Sequence, residues 1–293
     1  MKKIIFYLLL FPLFVFSQDD LLGELNEGIV EDNRVISVFK SLKVVNFEST
    51  KLANKKEFYL VISHRFGTVK NGIDDLFGLD QAVTQFKFIY GVNEWLNIGV
   101  ARSSNQKKYG VHAKYRLKFQ EKNGFPVSIV GYNLITANTA LKDNVYPNIN
   151  FEDRLSFTSQ LLISRKINDN LSLLLAPSFL HENLATRSFG EENGITEFYD
   201  EENNQFALGF GGRYKVSKRI SINVDYGLHL NRNENSVYNN PLSIGADIET
   251  GGHVFQVHFT NAQAMFEEGF ITQAQGDWLD GNFFFGFNLV RVF

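Results

Sequence analysis

Several stretches of the chain alternate strictly between apolar and polar residues. In residues 109–119 the apolar positions are mostly Tyr, Val, Leu and Phe, and the intervening positions are Gly110, His112, Lys114, Arg116 and Lys118. Residues 206–216 and 220–230 repeat the pattern. A period of two predicts β-strands whose faces meet different surroundings. Each stretch is long enough for the roughly 9–11 residues of a tilted membrane-spanning strand.

Extended along the whole chain, the alternation predicts twelve strands. Short turns alternate strictly with a second set of connections, all but one of which are long. An antiparallel transmembrane barrel with an even strand number and both termini in the periplasm would show this order, with the short turns on the periplasmic side. The predicted fold is therefore an all-β antiparallel transmembrane β-barrel of about twelve strands in the outer membrane. The predicted strands are 58–66, 82–92, 95–103, 109–119, 126–136, 155–167, 171–181, 205–216, 220–230, 241–249, 253–261 and 282–293.

The last predicted strand carries a specific local signal. One of its faces bears Phe283, Phe285, Phe287, Leu289 and Phe293, and the chain ends on that last aromatic residue. Outer-membrane barrels present such an aromatic-ended strand to their assembly machinery. These five residues are therefore the predicted barrel-assembly signal.

The N-terminus predicts export and a three-part organisation of the chain. Lys2 and Lys3 precede an apolar run from Ile4 to Phe16, which is too short to span a bilayer as a helix and is typical of a signal peptide cleaved after Ser17. Residues 58–293 form the predicted barrel. Residues 18–57 between them are expected to be periplasmic or to lie in the lumen, and the strand-like run 35–47 is compatible with joining the wall, lining the lumen or packing beneath it.

Composition and charge narrow the class further. The chain contains 29 Phe, 11 Tyr and 23 Gly but no Cys. Aromatic and glycine enrichment without long apolar runs suits strands that face lipid on one side, and the lack of Cys excludes disulfides, thiolate metal sites and lipid acylation. Removal of Lys2 and Lys3 with the signal peptide would take the net charge from −3 to −5. This mild acidity argues against nucleic acid as a partner.

The histidines give no metal or catalytic motif. His112, His229 and His258 fall on the polar faces of three different predicted strands, without a short ligand spacing such as HxxxH, so lumen hydrogen bonding is the favoured role. His253 would face lipid, but it lies beside a short turn and no motif marks a nucleophilic Ser. We therefore expect no cofactor, no bound metal and no enzymatic activity.

Basic residues on the lumen-facing positions suggest a selective constriction. They lie toward the periplasmic half of the barrel, where a net positive ring would favour anions. The alternative is that they pair with acidic groups or with the N-terminal segment and simply fill the lumen. The residues concerned are Lys114, Arg116, Lys118, Lys166, Arg213 and Lys215.

The chain also resembles a known family, the outer-membrane β-barrel proteins of unknown function from Bacteroidetes-type bacteria. The resemblance implies the fold class and the membrane but no activity. It rests on ISHRFG at 62–67, LFGLDQ at 76–81, RSS at 102–104 with Lys107, GGRYK at 211–215, SIG at 243–245, DIETGGHVFQ at 247–256, FTN at 259–261, GFIT at 269–272, GDW at 276–278 and FGFN at 285–288.

The predicted function is a narrow channel or transport-associated barrel. The alternatives are a structural or partner-binding barrel whose lumen is plugged by the N-terminal segment and, less favoured, an outer-membrane lipid enzyme. The expected partners are outer-membrane lipid, the barrel-assembly machinery and a possible periplasmic protein, and the chain is expected to be a monomer.

Overall fold

A computed structural model describes residues 33–142, 144, 146–185, 187–192, 195–250 and 253–293. The predicted signal peptide, residues 1–17, and the following residues to 32 lie outside the described residues. The described chain from Arg34 to Phe293 forms one compact unit.

Twelve antiparallel strands close into a barrel, which confirms the predicted fold class. Consecutive strands are neighbours around the barrel, and the last strand pairs with the first to close it. The wall strands are β1 (Phe58–Thr68), β2 (Ala82–Gly91), β3 (Leu96–Ser103), β4 (Tyr109–Lys118), β5 (Ser128–Ala137), β6 (Leu155–Lys166), β7 (Leu171–Glu182), β10 (Asn204–Lys215), β11 (Ile220–His229), β12 (Leu242–Thr250), β13 (His253–Thr260) and β14 (Phe284–Val292).

The predicted boundaries differ from these by no more than two residues. The accuracy follows from the period-two pattern, because a strand ends where its two faces stop meeting lipid and lumen. Short turns follow β2, β4, β6, β10 and β12. The connections at the other end of the barrel are longer, except for the one between β3 and β4. We call these the short-turn end and the long-loop end. The first four short turns lie among the described residues, whereas Gly251 and Gly252 of the fifth lie outside them.

The wall separates two kinds of surface. Side chains that point outward are mainly large and apolar and are exposed, among them Phe86, Phe88, Val111 and Ile222. Side chains that point inward are mainly polar and are nevertheless buried, among them Ser63, Gln85 and Lys87. The buried interior of this protein is therefore the barrel lumen, and something must fill it.

Part of the filling comes from residues 34–57, here called the inner plug. Its chain pairs with the short turn after β4 through the Val35 amide and the Gln120 carbonyl, enters the lumen, reverses direction, and returns to the short-turn end to begin β1. Two backbone hydrogen bonds form the reversal, from Val44 to Phe47 and from Ser49 to Leu42. The sequence left three locations open for the run 35–47. In the structure this run lies in the lumen and contributes no strand to the wall.

The rest of the filling comes from residues 261–283, here called the α1 loop, which folds inward from the long-loop end. It contains the single-turn helix α1 (Glu267–Thr272), all six residues of which are buried. A hairpin of β8 (Arg187–Glu192) and β9 (Ile195–Asp200) stands outside the wall in the connection between β7 and β10. No helix of the described chain is long and apolar enough to cross a membrane.

Candidate functional site

The carboxylate of Glu48 lies at the centre of an ionic cluster between the inner plug and the wall. Lys87 of β2 is 2.8 Å from one carboxylate oxygen, and Lys114 of β4 is 3.0 Å from the other. The Nζ atom of Lys43, in the plug, lies 3.7 Å from a carboxylate oxygen of Glu48. All four side chains are at most 5 % exposed. Lys87 also contacts the hydroxyl of Tyr132 at 3.3 Å. One plug carboxylate thus neutralises cations from two strands.

The protonation of Glu48 follows from these neighbours. Burial by itself would raise the pKa of the carboxyl group, but the charges of Lys87, Lys114 and Lys43 outweigh it and hold the pKa well below its ordinary value of 4.5. Glu48 therefore carries its negative charge at neutral pH, and the cluster acts as an ion pair network.

A second anchor holds the tip of the plug by its backbone. One carboxylate oxygen of Asp225, on β11, accepts hydrogen bonds from the amides of Val45, Asn46 and Phe47 at 3.0, 2.7 and 3.1 Å. Three successive amides that converge on one carboxylate form a small anion-binding turn. Asp225 therefore fixes the reversal of the plug against the wall.

Polar side chains of the wall complete the contact with the plug tip. Asn46 donates to the hydroxyls of Ser243 and Thr260 at 2.9 and 3.0 Å, and its amide oxygen accepts from Arg65 at 2.9 Å. Gln256 donates to the Val44 carbonyl at 3.0 Å. The plug tip is thus held by polar contacts from several parts of the barrel.

The α1 loop meets the inner plug near the middle of the lumen. The rings of Phe47 and Phe270 pack edge to face with centroids 4.9 Å apart. Glu268 of α1 is fixed to the wall by Lys108 at 3.1 Å and by the Thr136 hydroxyl at 2.6 Å. Burial raises the pKa of Glu267, and the charges of Lys87 and Lys43 only partly oppose this. The two lumen segments thus share both an aromatic contact and an electrostatic environment.

The six predicted lumen cations do not gather in one ring. Lys114 belongs to the Glu48 cluster. Arg116 donates to the Thr50 carbonyl at 2.8 Å, and Arg213 lies 3.2 Å from Glu249 and 3.8 Å from Asp247. The other three, Lys118, Lys166 and Lys215, lie at the short-turn end, where Lys118 pairs with Glu121 and Lys166 with Asp169. The contribution of all six to ion selectivity stays a prediction.

The three lumen histidines lie apart. His112 is buried beside Tyr132, with ring centroids 5.6 Å apart, while His229 and His258 are buried on β11 and β13. Across the described residues, no three His, Asp or Glu side chains are grouped so that they could hold a metal ion. His253 is exposed at the start of β13, beside the short-turn end.

The predicted assembly residues lie on and around the closing strand. Phe285, Phe287 and Leu289 alternate on the lipid-facing side of β14, while Phe283 precedes the strand and stacks on Trp278 with centroids 4.7 Å apart. Phe293 is 60 % exposed, and its backbone exchanges two hydrogen bonds with Phe58. The geometry places these residues at the barrel closure, and their role in assembly stays a prediction.

Sequence reasoning missed the residues that organise the lumen. Glu48 follows an apolar run and has no motif around it, and Glu267 and Glu268 lie in a predicted loop. The only signal in the sequence was indirect. The many polar wall residues that face the lumen need hydrogen-bond partners, and an inserted segment can provide them.

A family model described as "Membrane bound beta barrel domain (DUF5777)" matches residues 39–293. The chain belongs to this family. It is a membrane-bound β-barrel protein of the outer membrane, as the alternating strands predict, and the family description assigns it no activity. The family match begins inside the inner plug, so the reversal and Glu48 lie within the matched region.

Comparison with solved structures gives weaker likenesses. The NanC porin has a TM-score of 0.49 at 9 % identity, over 80 % of this chain and 98 % of that one. The KdgM porin has a TM-score of 0.47 at 10 % identity, over 80 % and 99 %. An outer-membrane channel from Pseudomonas putida F1 has a TM-score of 0.46 at 14 % identity, over 83 % and 97 %. No curated protein matches by sequence.

Proposed function

We propose that this protein is an outer-membrane channel that is closed by its inner plug and that prefers anions when the plug is withdrawn. The observation that carries the proposal is the Glu48 cluster, in which a carboxylate of the plug occupies the space between Lys87 and Lys114 of the wall. The channel is closed in the described conformation, and opening requires the plug to leave the lumen.

The character of the surface between plug and wall supports a plug that moves. A permanent filling would be expected to pack apolar groups against an apolar wall, since such contacts need no matched partners. Here the wall presents Arg65, Lys87, Lys114, Asp225 and Gln256 to the plug. The contact is mixed, because the plug also shares a buried apolar cluster with strands β5, β6 and β7. Water can replace the plug at each of the polar groups, so that part of the emptied lumen would stay hydrated.

The charges left behind support the anion preference. When the plug leaves, Glu48 leaves with it, and Lys87 and Lys114 face the lumen without their counter-charge. Arg65 loses its contact with Asn46 in the same movement. Asp225 and Glu267, which interacts with Lys87, remain as opposing charges. The three cations Arg65, Lys87 and Lys114 outnumber these two, and pore-lining charges select ions by sign.

The route of the plug suggests how it could be withdrawn. Both of its ends lie at the short-turn end, one beside Gln120 and the other at the Phe58 and Phe293 backbones. A periplasmic partner that holds the chain before residue 34 would pull the reversal out without unthreading it. We assign the short-turn end to the periplasm in this proposal.

The test locks the plug by a disulfide, which is practical because the chain has no native cysteine. Asn46 and Ser243 are joined by a hydrogen bond of 2.9 Å between their side chains, so Asn46→Cys with Ser243→Cys places two thiols close together. In planar bilayers the oxidised protein is expected to show no conductance steps. The reduced protein, whose plug has lost the hydrogen bonds of Asn46, is expected to open, with a reversal potential in a KCl gradient that favours chloride.

The two single-cysteine variants serve as controls, because oxidant should not change their conductance. A variant that lacks residues 34–52 should conduct constantly if it folds, which heat-modifiable migration on a gel would verify. Cation preference would contradict the predicted selectivity. A folded barrel that never conducts, even without the inner plug and the α1 loop, would contradict the channel itself.

A structural or partner-binding barrel is the second candidate, and it is favoured by the double filling of the lumen. Besides its contact with the inner plug, the α1 loop is held in the long-loop half by Lys108, Thr136 and Arg232. In this case the segment before residue 34 would dock a periplasmic protein while the lumen stays closed. Absence of conductance even without both lumen segments would favour this function.

A further inference from the structure

A short chain of polar side chains lies on the outer surface of the wall, where the neighbouring residues face lipid. The hydroxyl of Tyr115, on β4, donates to the amide oxygen of Asn133 at 3.0 Å. The amide nitrogen of Asn133, on β5, donates to the hydroxyl of Ser159 on β6 at 2.7 Å. Asn133 and Ser159 are direct partners in the register of their strands.

This polar chain lies at mid-depth in the wall. Toward the long-loop end the outward-facing side chains are Val111, Ile135 and Phe179, and toward the short-turn end they include Leu117 and Leu173, all of them exposed. The polar groups are thus bracketed by apolar residues on both sides, at the depth where hydrocarbon surrounds the barrel.

Hydrocarbon cannot satisfy the remaining hydrogen-bonding capacity of these groups. Among the described contacts, the Asn133 amide uses one of its two N–H bonds, and the Ser159 hydroxyl accepts a hydrogen bond without donating its own proton. A polar group that faces lipid without a partner is costly. A polar side chain at this depth therefore points to a partner that brings acceptors into the membrane.

The surface around the polar chain is concave. Small or narrow residues, Gly131, Ser159 and Pro177, line the floor of a groove with a volume of about 480 Å³. Phe179 and Phe206, with ring centroids 5.5 Å apart, form a ridge along one side. The Tyr115 ring covers Gly131 so closely that a Cβ there would lie 2.4 Å from it.

We propose that this groove, centred on Asn133 and Ser159, is the interface through which two copies of the chain pair in the membrane. Asn133 carries both a donor and an acceptor, so a two-fold axis brings each copy the group it lacks. The ridge beside the groove in one copy fills the groove of the other. Small residues that let backbones approach and polar residues that bond across the contact are the usual means of association in membranes.

Acyl chains explain the groove less well than a second copy does. They fill an apolar depression, but they bring no acceptor to mid-depth for the Ser159 hydroxyl or the Asn133 amide. The sequence led us to expect a monomer, and in this proposal the protein is a dimer.

The first test uses cross-linking of the otherwise wild-type protein. Leu161 lines the groove and is partly exposed, so Leu161→Cys should be captured as a dimer by a short bis-maleimide in outer-membrane vesicles. Ile244, on the far wall, is similarly exposed, and Ile244→Cys should give only monomer. Equal cross-linking at both positions, or none at Leu161→Cys, would overturn the proposal.

The second test measures affinity. Asn133→Val should weaken dimerisation in detergent by roughly tenfold, the size expected when one or two hydrogen bonds between embedded side chains are lost. The matched control is Thr84→Val, which removes another lipid-facing contact, between Thr84 and His64 at 2.9 Å, and should leave the affinity unchanged. A dimer whose affinity is unchanged by Asn133→Val would contradict the proposed interface. A monomer whose bound lipid disappears in Asn133→Val would show a lipid site instead.

Discussion

At the scale of single residues, Glu48 is the side chain on which the closed lumen depends most. It is buried with Lys43, Lys87 and Lys114, and its carboxylate is their shared counter-charge. Bringing charges out of water is expensive, so such a cluster persists only while every member is compensated. Removing the one acidic member leaves several cations uncompensated at once.

We therefore predict that Glu48→Gln loosens the inner plug. Loss of one partner of a buried ion pair costs about 3–5 kcal/mol, which is enough to populate the withdrawn plug. Hydrogen exchange of residues 41–50 should become faster and bilayer conductance should appear. Glu94→Gln, at an exposed position in a short turn, is the control and should change neither. Unchanged exchange in Glu48→Gln would show that the contacts of the plug tip, among them those to Asp225, retain the plug without Glu48.

The same residue predicts how the plug responds to pH. The pKa of Glu48 in the folded protein lies well below its ordinary value of 4.5, so the cluster contributes its full stabilisation above that ordinary value. That stabilisation is lost only as the pH falls through the folded pKa. The channel should therefore stay closed at pH 5 and open only at a pH well below the ordinary pKa of a Glu carboxyl group.

Opening at pH 5 or above would point to a different group. Burial raises the pKa of Glu267, so this carboxyl group takes up a proton at higher pH than Glu48 does. Glu267→Gln distinguishes the two, because it removes the titrating group: an opening controlled by Glu267 would lose its pH dependence, whereas one controlled by Glu48 would keep it.

At the scale of elements, the wall strands and the lumen segments fit each other through glycines. A Cβ at Gly209 of β10 would lie 2.4 Å from the ring of Phe47 in the inner plug, and one at Gly110 of β4 would lie 2.7 Å from the ring of Phe266 in the α1 loop. Each glycine thus makes room for one aromatic ring of a segment inside the barrel. The sequence shows the glycines, but it does not show which ring they accommodate.

This fit predicts separable effects of two substitutions. Gly209→Leu should displace Phe47 and make the inner plug accessible, whereas Gly110→Leu should displace Phe266 and disturb the α1 loop. Gly212→Leu is the matched control on β10, because a Cβ there meets only a Leu173 methyl group at 3.8 Å. Hydrogen exchange of each segment would report the displacement. Protection of residues 41–50 that persists in Gly209→Leu would contradict the predicted fit.

At the scale of the whole molecule, the barrel closes where its first and last strands meet. The Phe293 amide donates to the Phe58 carbonyl at 2.9 Å, and the Phe58 amide donates back at 3.4 Å. The guanidinium of Arg291 lies over the Phe293 ring at 4.6 Å. The last residue of the chain is therefore both part of the closure and an exposed aromatic group at the short-turn end.

We predict that Phe293→Ala lowers the fraction of chain assembled in the outer membrane without changing the stability of protein refolded in detergent. The backbone bonds to Phe58 survive the substitution, while the exposed ring that we assign to recognition by the assembly machinery is lost. Heat-modifiable migration on gels measures both quantities. Phe125→Ala, at an exposed aromatic residue of a short turn, is the control. Equal assembly of both variants would contradict the assigned role.

The sequence by itself determined the wall. A strand with lipid on one side and lumen on the other must alternate, so the twelve strands, their turns and the aromatic closing strand could be located from local pattern alone. The location of the barrel in the outer membrane was inferred from the same pattern. The hairpin β8–β9 was missed because it lies outside the wall, where no such alternation between two surroundings is imposed.

Only the tertiary structure decided what lies inside the wall. Glu48 meets Lys87 and Lys114, and Asp225 meets the amides of residues 45–47, through contacts between parts of the chain far apart in sequence. No periodicity records such contacts, because the inner plug and the α1 loop have neither a regular strand nor a long helix. Their conformation is set by the polar groups of a lumen that exists only after the barrel has closed.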